Sequence, residues 1–443
     1  MVKILPDSVD KYLEKYFFGN WKIQGKIKDK INNAIVIPAI GEYNNIKTLL
    51  LSLSKNDKKY FDSTLILFVI NNMVSSTDEV KSDNKKTAGL LQKIISKNPG
   101  NDFAKIISGS GLNIAFIDAF SKGNELSDKE GGVGLARKIG MDLALTAFDY
   151  NSPDKKIIIC LDADCEVGKN YLTETVRTFN KKNLHAAAVK FEHKLPEDLH
   201  LAYAIICYEI FLRYYVLGLK FANSPYSFHT IGSAMACDYE SYIKIGGMNK
   251  KKAAEDFYFL EKLSKIVNID YIESTKVYPS ARKSWRVPFG TGQRINRFFA
   301  KTHREYFLYD PVSFQILKRW NDIFYSKSSL KPEEYLREAK KINSELYNFL
   351  IDRKFAESWK RILDNSANPK QILNQKKIWF DGFQTLKLIH HLRDTALPQV
   401  NMFKALDRLF ELMNLNFNME RDRAEIPDLK IQEKYLAFLR ELS

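Results

Sequence analysis

Over the first 300 residues, short continuous apolar runs alternate with segments whose apolar positions recur at helical spacing. Residues 34–38 (AIVIP), 65–70 (LILFVI), 113–118 (NIAFID), 157–161 (IIICL) and 185–190 (HAAAVK) predict buried strands. Residues 45–54, 133–148 and 171–180 predict helices, the first with Ile46, Leu49, Leu50 and Leu53 on one face. Strands apolar on both faces, in β-α-β-α order, predict a mostly parallel sheet covered by helices. Beyond about residue 300 the pattern changes. After Gly292 the only glycine is Gly382, and runs 333–350, 371–380, 386–393, 402–413 and 432–442 carry a 3.6-residue period. Pro311, Pro332, Pro369, Pro398 and Pro427 punctuate them. The expected organisation is an N-terminal extension (1–31), an α/β domain (32–300) and a helical C-terminal region (301–443).

Composition narrows the class. The 443 residues are 45% hydrophobic and 27% charged, with 29 Phe, 22 Tyr and 5 Trp, so a large core is available. A disordered chain or a disulfide-stapled module is excluded. The net charge of +15 favours an anionic partner: nucleic acid, an acidic membrane surface or a phosphorylated small molecule. The excess is spread along the chain instead of forming a basic arm, so no nucleic acid is expected. Cys160, Cys165, Cys207 and Cys237 form no C-x-x-C pair and no zinc-finger spacing, which fits a reduced, cytoplasmic setting. The first 20 residues mix charges with apolar positions and lack a signal-peptide core. No stretch of about 18 uncharged apolar residues occurs, so no spanning helix is expected. Residues 201–222, interrupted by Glu209, Arg213 and Lys220, read as an amphipathic helix.

Ligands of open α/β sheets bind at the carboxyl ends of the strands. After the first strand, Asn44 and Asn45 suit a helix cap, whereas the carboxylate of Glu42 can accept hydrogen bonds from a base or ribose. Asn71-Asn72 after the second form a turn or a pair of amides able to read a nucleobase. After the third come Gly131-Gly132-Val133-Gly134, Arg137 and Lys138; a glycine-rich helix start favours an anion. Arg137 stands where a dinucleotide fingerprint needs its third glycine, and no Walker lysine-serine follows, so neither motif is supported. After the fourth comes Asp162-Ala163-Asp164. Two carboxylates spaced by two point the same way from an extended chain and repel unless a cation neutralises them. Hard Mg²⁺ or Mn²⁺ prefers such oxygens together with substrate phosphates. Glu255-Asp256 is either the acidic first turn of a helix or a general base within reach of a hydroxyl. Segment 282–293 (RKSWRVPFGTGQ), which combines Arg282, Lys283 and Arg286 with Pro288, Gly290 and Gly292, suits a lid that clamps a diphosphate, or a basic surface loop.

In order and spacing these strings resemble the family 2 glycosyltransferases of the GT-A fold, over roughly residues 32–300. IPAIGEYNNI is similar to their opening I-P-x-x-N-E-x-x-x-I, with Gly41 in place of Asn. GGVGLARKIGMDLAL is similar to their G-x-x-x-A-R-N-x-G helix, with Lys138 in place of Asn. CLDADC matches the D-x-D strand end, and GSAMACDYESYIKIGGM followed by AAEDFYF resembles the acceptor-side segment with its E-D helix.

The resemblance implies a metal-dependent, inverting transfer of a sugar from a nucleoside-diphosphate-sugar donor to a hydroxyl acceptor, saccharide, lipid-linked or small. Glu42 would contact the nucleoside, with Asn71, Arg137, Lys138 and Arg286 also on the donor. Asp162 would meet the ribose or donor sugar. Asp164 would hold Mn²⁺ or Mg²⁺ on the diphosphate, with His303, ahead of His229, as a third ligand. Asp256 would deprotonate the acceptor.

Two departures change the picture. Asn71-Asn72 replace an acidic pair common after the second strand. The Q-x-x-R-W string of processive synthases is not kept, since Gln293 is followed by Arg294, Ile295, Asn296, Arg297 and Phe298. The competing readings are a retaining GT-A enzyme, a sugar nucleotidyltransferase, a basic nucleic-acid-binding protein and a non-catalytic scaffold. The nucleotidyltransferase would need a glycine-rich basic loop after the first strand, which PAIGEYNN does not provide. Basic amphipathic helices in the C-terminal region would let the protein rest at the inner face of a membrane.

Overall fold

The computed structural model describes residues 5–284, 290–326, 329–417 and 425–442. The chain divides into two compact units, Met1–Lys194 with Thr230–Gln293, and Leu195–His229 with Arg294–Ser443.

The first unit is built on a sheet of nine strands. In chain order these are β1 (Ile23–Gln24), β2 (Asn33–Ala39), β3 (Thr64–Asn71), β4 (Asn113–Ala119), β5 (Ile157–Cys160), β6 (Glu166–Val167), β7 (Ala186–Phe191), β8 (Met235–Asp238) and β9 (Ile269–Tyr278). Their spatial order is β1-β4-β3-β2-β5-β8-β7-β9-β6. The strands β4, β3, β2 and β5 run parallel, with Ala34 opposite both Leu65 and Ile158. Every residue of β3 (TLILFVIN) is buried, as a strand covered on both faces requires. The predicted α/β class and the predicted strands are present within a residue or so of their expected ends. β8 was not foreseen; it is four residues long and enters antiparallel between β5 and β7. β9 (IDYIESTKVY) was also missed, because its charged positions are exposed and break the apolar run.

The helices that follow in the chain are α1 (Asp7–Tyr16), α2 (Asn45–Ser54), α3 (Asp78–Ile95), α4 (Asp102–Ser110), α5 (Val133–Ala147), α6 (Tyr171–Lys182), α7 (Leu199–Phe221), α8 (Tyr239–Lys244) and α9 (Glu255–Ser264). All but α7 belong to the first unit. The helix α5 lies against β2 and β3. Gly140 permits that approach: a Cβ there would run into Val36 Cγ1 and lie 2.7 Å from Val69 Cγ2. Residues 1–31 are part of this unit. β1 pairs with β4, and Tyr12 of α1 donates to Asp142 of α5 at 2.8 Å.

The second unit is helical. After α7 come α10 (Thr291–Ala300), α11 (Pro311–Phe324), α12 (Pro332–Ile342), α13 (Ser344–Asp352), α14 (Phe355–Asp364), α15 (Pro369–Trp379), α16 (Gly382–Thr395), α17 (Met402–Leu412) and α18 (Leu429–Leu442). The periodic run 333–350 is divided at Asn343, whose side chain accepts from the N–H groups of Glu345 (2.8 Å) and Leu346 (3.2 Å) and so starts α13. Trp320, Phe324, Tyr335, Phe355, Trp359 and Phe380 form a continuous aromatic core.

The helix α7 differs from the amphipathic expectation. It is buried nearly all round, and Ile206, Ile210, Tyr214 and Leu217 share one core with Phe314 and Trp320. Its two central charges neutralise each other: Arg213 Nε lies 2.8 Å from Glu209 Oε1, both fully buried, and Arg440 of α18 reaches the same carboxylate at 2.7 Å. By length and composition α7 is the one helix among the described residues apolar enough to cross a membrane, and 72% of its most apolar window is buried inside the protein. A helix apolar on every side needs partners on every side. Residues 195–229 therefore group with the helical unit, where a linear division at 300 put them with the sheet.

Candidate active site

The carboxyl ends of β2 and β5 carry two acidic loops. Beyond β5 the chain does not stay extended. The Cys165 N–H donates to the Asp162 carbonyl at 3.2 Å, closing a turn over 162–165. Asp162 and Asp164 thus converge through a turn and not through strand alternation. Their carboxylates and the Cys165 thiol lie within 4.8 Å of one another. Burial pushes the Asp164 carboxyl up, and Arg282 opposes that shift. Burial also pushes the Cys165 thiol well up, so it stays protonated and is no ligand for a hard cation. The donors that fit Mg²⁺ or Mn²⁺ are the two carboxylates.

Beyond β2, Glu42 is 5% exposed. Its Oε1 accepts from Arg282 Nη2 at 2.6 Å and its Oε2 from the Asn45 side chain, which leads α2. Arg282 also bonds Asp164 Oδ2 through Nε at 2.8 Å. One guanidinium therefore joins the two loops.

Arg137 of α5 organises the other side of Asp162. Its side chain is 2% exposed, donating through Nη1 to the Gly232 carbonyl at 2.6 Å and through Nη2 to Asp162 Oδ1. Its Nε lies 3.2 Å from Glu255 Oε1. Gly232 lets the chain pass close to the guanidinium: a Cβ there would fall 2.5 Å from Arg137 Nη2 and 3.4 Å from Asp256 Oδ2. The left-handed Ala254 (φ 57°) turns the chain into α9 and sets Glu255 and Asp256 side by side in its first turn. Burial and the neighbouring Asp256 push Glu255 up to about 7, against Arg137. Burial also raises Asp256, while the Arg137 charge and then the Phe257 N–H, donating at 2.7 Å, oppose the shift. The site is thus an acidic cradle with a buried arginine strut and, beside it, two carboxyl groups raised by burial.

Glu42, Arg137, Asp162, Asp164 and Asp256 come together here. Lys138 does not. It lies on another side of α5, with Nζ 2.8 Å from Asp142 and 3.2 Å from the Tyr12 hydroxyl, and the Tyr242 hydroxyl donates to Asp142 at 2.6 Å. This buried knot ties α1 and α8 to α5. Asn71 ends β3 with its Oδ1 buried and without a partner among the described residues. Its carbonyl and the Asn72 side chain are held by Asn84 of α3, at 3.0 and 2.9 Å, and Asn84 also accepts from the Gly41 N–H at 2.9 Å. His303 belongs to the second unit, exposed and bonded to Thr302 at 3.0 Å. His229, in the same unit, is buried, which lowers its pKa and keeps it neutral. Arg286 lies outside the described residues.

The glycines before α5 do not open its N-terminus to an anion. At Gly134 a Cβ would strike the Lys251 carbonyl, and at Gly132 it would lie 2.9 Å from Lys252 Cα, so loop 249–252 covers that end. Sequence reading singled out Arg282 only as one of three cations in a diphosphate-clamping segment and Glu255 only together with Asp256, and it gave Gly232 and Asn84 no role of their own. Arg282 stood within the basic 282–293 segment and Glu255 beside Asp256, but nothing in the string marked Gly232 or Asn84 as their neighbours.

No family model and no curated protein matches the chain. Similar solved structures include residues 1–349 of S. aureus TarS, at 14% identity over 79% of this chain and 90% of that one, TM-score 0.36. The same fragment in complex with UDP-GlcNAc is 13% identical over 79% and 90%, TM-score 0.39. The mannosyltransferase PcManGT from Pyrobaculum calidifontis, in complex with GDP-Man and Mn²⁺, is 13% identical over 86% of this chain and 91% of that one, TM-score 0.34.

Proposed function

We propose that the protein transfers a sugar from a nucleoside-diphosphate donor to a hydroxyl acceptor with inversion, in the manner of the family 2 GT-A enzymes its sequence resembles. The observation that carries this reading is the convergence of Asp162 and Asp164 beyond β5, with Arg137 bonded to Asp162 and to the Gly232 carbonyl, and the Gly232 backbone bonded in turn to Asp256.

Asp164 and Asp162 would hold Mn²⁺ or Mg²⁺, which supplies charge stabilisation to the departing diphosphate. The chain's residues do the rest. Glu42 would accept from the nucleoside in exchange for one of its present partners, and the buried amide of Asn71 has an oxygen without a partner among the described residues at the neighbouring strand end. Arg137 fixes Asp162 and Glu255 and so sets the donor loop against α9. Asp256 takes the acceptor proton while the hydroxyl oxygen bonds to the anomeric carbon. The bond from that carbon to the diphosphate oxygen breaks, its electron pair leaving with the nucleoside diphosphate. A carboxyl whose affinity for protons is raised by burial is a better base than an exposed one.

Nucleotide-sugar turnover with Mn²⁺ or Mg²⁺, screened over UDP- and GDP-sugars, tests the reading. Asp256→Asn should lower transfer by about 10²–10⁴ with donor affinity kept. Substantial activity in that variant would point to retention instead. If no nucleoside diphosphate shifts the melting temperature and no donor is consumed, the reading is wrong.

A further inference from the structure

The guanidinium of Arg282 sits where the donor end of the site needs positive charge. Its Nη2 lies 2.6 Å from Glu42 Oε1 and 2.7 Å from Asp164 Oδ2, and its Nε lies 2.8 Å from the same Asp164 oxygen. Glu42 is almost wholly enclosed, while Asp164 and Arg282 keep 23% and 31% of their side-chain surface. The contact is therefore reachable from solvent on the arginine side. Arg282 lies beyond β9, separated from its end by Pro279, Ser280 and Ala281, in a stretch without helix or strand, so its side chain can move without unpicking the sheet.

We propose that Arg282 is a resident counter-cation, which keeps Asp164 from taking up a divalent metal until a diphosphate arrives with it. The inference rests on the glycosyltransferase reading of this site and adds a rule for how the site is loaded. A metal ion alone must displace the guanidinium from Asp164 Oδ2 and leave it with Glu42 only. A metal ion arriving with a diphosphate changes both sides of that exchange. The phosphate oxygens complete the coordination of the metal, and they give the freed guanidinium an anionic, two-pronged partner. Metal and nucleotide then bind with positive coupling, and by linkage each raises the affinity for the other by one common factor. No covalent bond changes in this exchange. It assigns Arg282 a task different from that of Arg137, which is buried among Asp162, Glu255 and the Gly232 carbonyl and has no room to leave.

The test is Mn²⁺ titration of the full chain, with free Mn²⁺ followed by electron paramagnetic resonance, with and without UDP or GDP. Wild type and Arg282→Gln are compared, and Glu42→Gln serves as a second variant that weakens the hold on Arg282 without removing it. In the wild type, a nucleoside diphosphate should tighten Mn²⁺ binding by roughly tenfold or more, equivalent to about 1.4 kcal/mol of coupling. Arg282→Gln should bind Mn²⁺ alone about tenfold tighter than wild type and lose most of the nucleotide effect. Glu42→Gln, which leaves the displaced guanidinium without its second carboxylate, should bind Mn²⁺ alone more weakly than wild type, and tighter binding there overturns the inference. Folded Arg282→Gln that binds Mn²⁺ alone no tighter than wild type, while nucleotide still tightens it, overturns the inference and leaves the donor-site reading standing. Failure of both proteins to bind either Mn²⁺ or nucleotide overturns both.

Discussion

Arg137→Met gives the sharpest probe of the site's electrostatics, because it removes a charge and keeps an apolar chain of similar reach. The guanidinium is 2% exposed and faces two carboxylates of different standing. Asp162, 38% exposed, can fall back on water; Glu255, 7% exposed, cannot. Breaking a buried pair by removing one partner costs about 3–5 kcal/mol when the survivor stays charged. Glu255 has a way out, since burial and Asp256 already hold it up at about 7 against an ordinary 4.5. A carboxyl raised in the folded state favours folding below its unfolded value, and that contribution declines as pH climbs from 4.5 to about 7. Losing Arg137 raises the folded value further and extends the decline upward. At pH 6 the variant should lose only about 1–3 kcal/mol, mostly from the abandoned Gly232 carbonyl. At pH 8 it should lose the full ~3–5 kcal/mol. Thermal unfolding at the two pH values reads this directly, at roughly 2–4 °C per kcal/mol for a unit of this size. Nucleotide-sugar turnover should fall with it. A loss below about 1 kcal/mol at pH 8, or one equal at both pH values, would refute the electrostatic argument.

Three further substitutions separate the site from its support. Gly232→Ala places a Cβ 2.5 Å from Arg137 Nη2, so turnover should drop by at least about tenfold with a stability change under ~2 kcal/mol; unaltered turnover would mean that the guanidinium has room to shift. Lys138→Met should cost about 3 kcal/mol by leaving Asp142 with hydroxyl partners only, while the KM for the donor stays constant. A raised KM at full stability would put Lys138 back on the donor. Gly140→Ala should destabilise by about 1–3 kcal/mol, because α5 must back away from Val36 and Val69; urea unfolding measures it, and a stabilised variant would contradict the close helix-to-sheet approach.

Strand ends were legible because a fully buried strand must be apolar at every position, and β3 and β5 are. The motifs at two of those ends meet in space, since β2 and β5 are adjacent and parallel and bring Glu42 and Asp164 to one edge. What failed was anything that depends on side-chain direction. Arg137 and Lys138 are consecutive, but consecutive residues on a helix point roughly 100° apart. One therefore reaches Asp162 and the other Asp142. The glycines at 131–134 looked like an anion nest, yet Gly132 and Gly134 answer to loop 249–252, more than 100 residues away in the chain. Arg282 read as one of several loop cations, because its partners, 118 and 240 residues distant, are fixed only by the sheet. The charges of α7 read as a wet face because a lone sequence cannot announce that Arg440 will meet Glu209.

The path of the backbone has a practical corollary. The polypeptide leaves the sheet-bearing unit after Lys194, supplies α7 to the other unit, and returns at Thr230. No single cut can release either unit intact. Shortening the gene to end near codon 300 would strip α7 of Phe314, Trp320 and Arg440, baring the apolar surface of a 23-residue helix with the Glu209–Arg213 pair at its centre. Such a fragment would clump, and its failure in an assay would say nothing about the chemistry of the acidic loops.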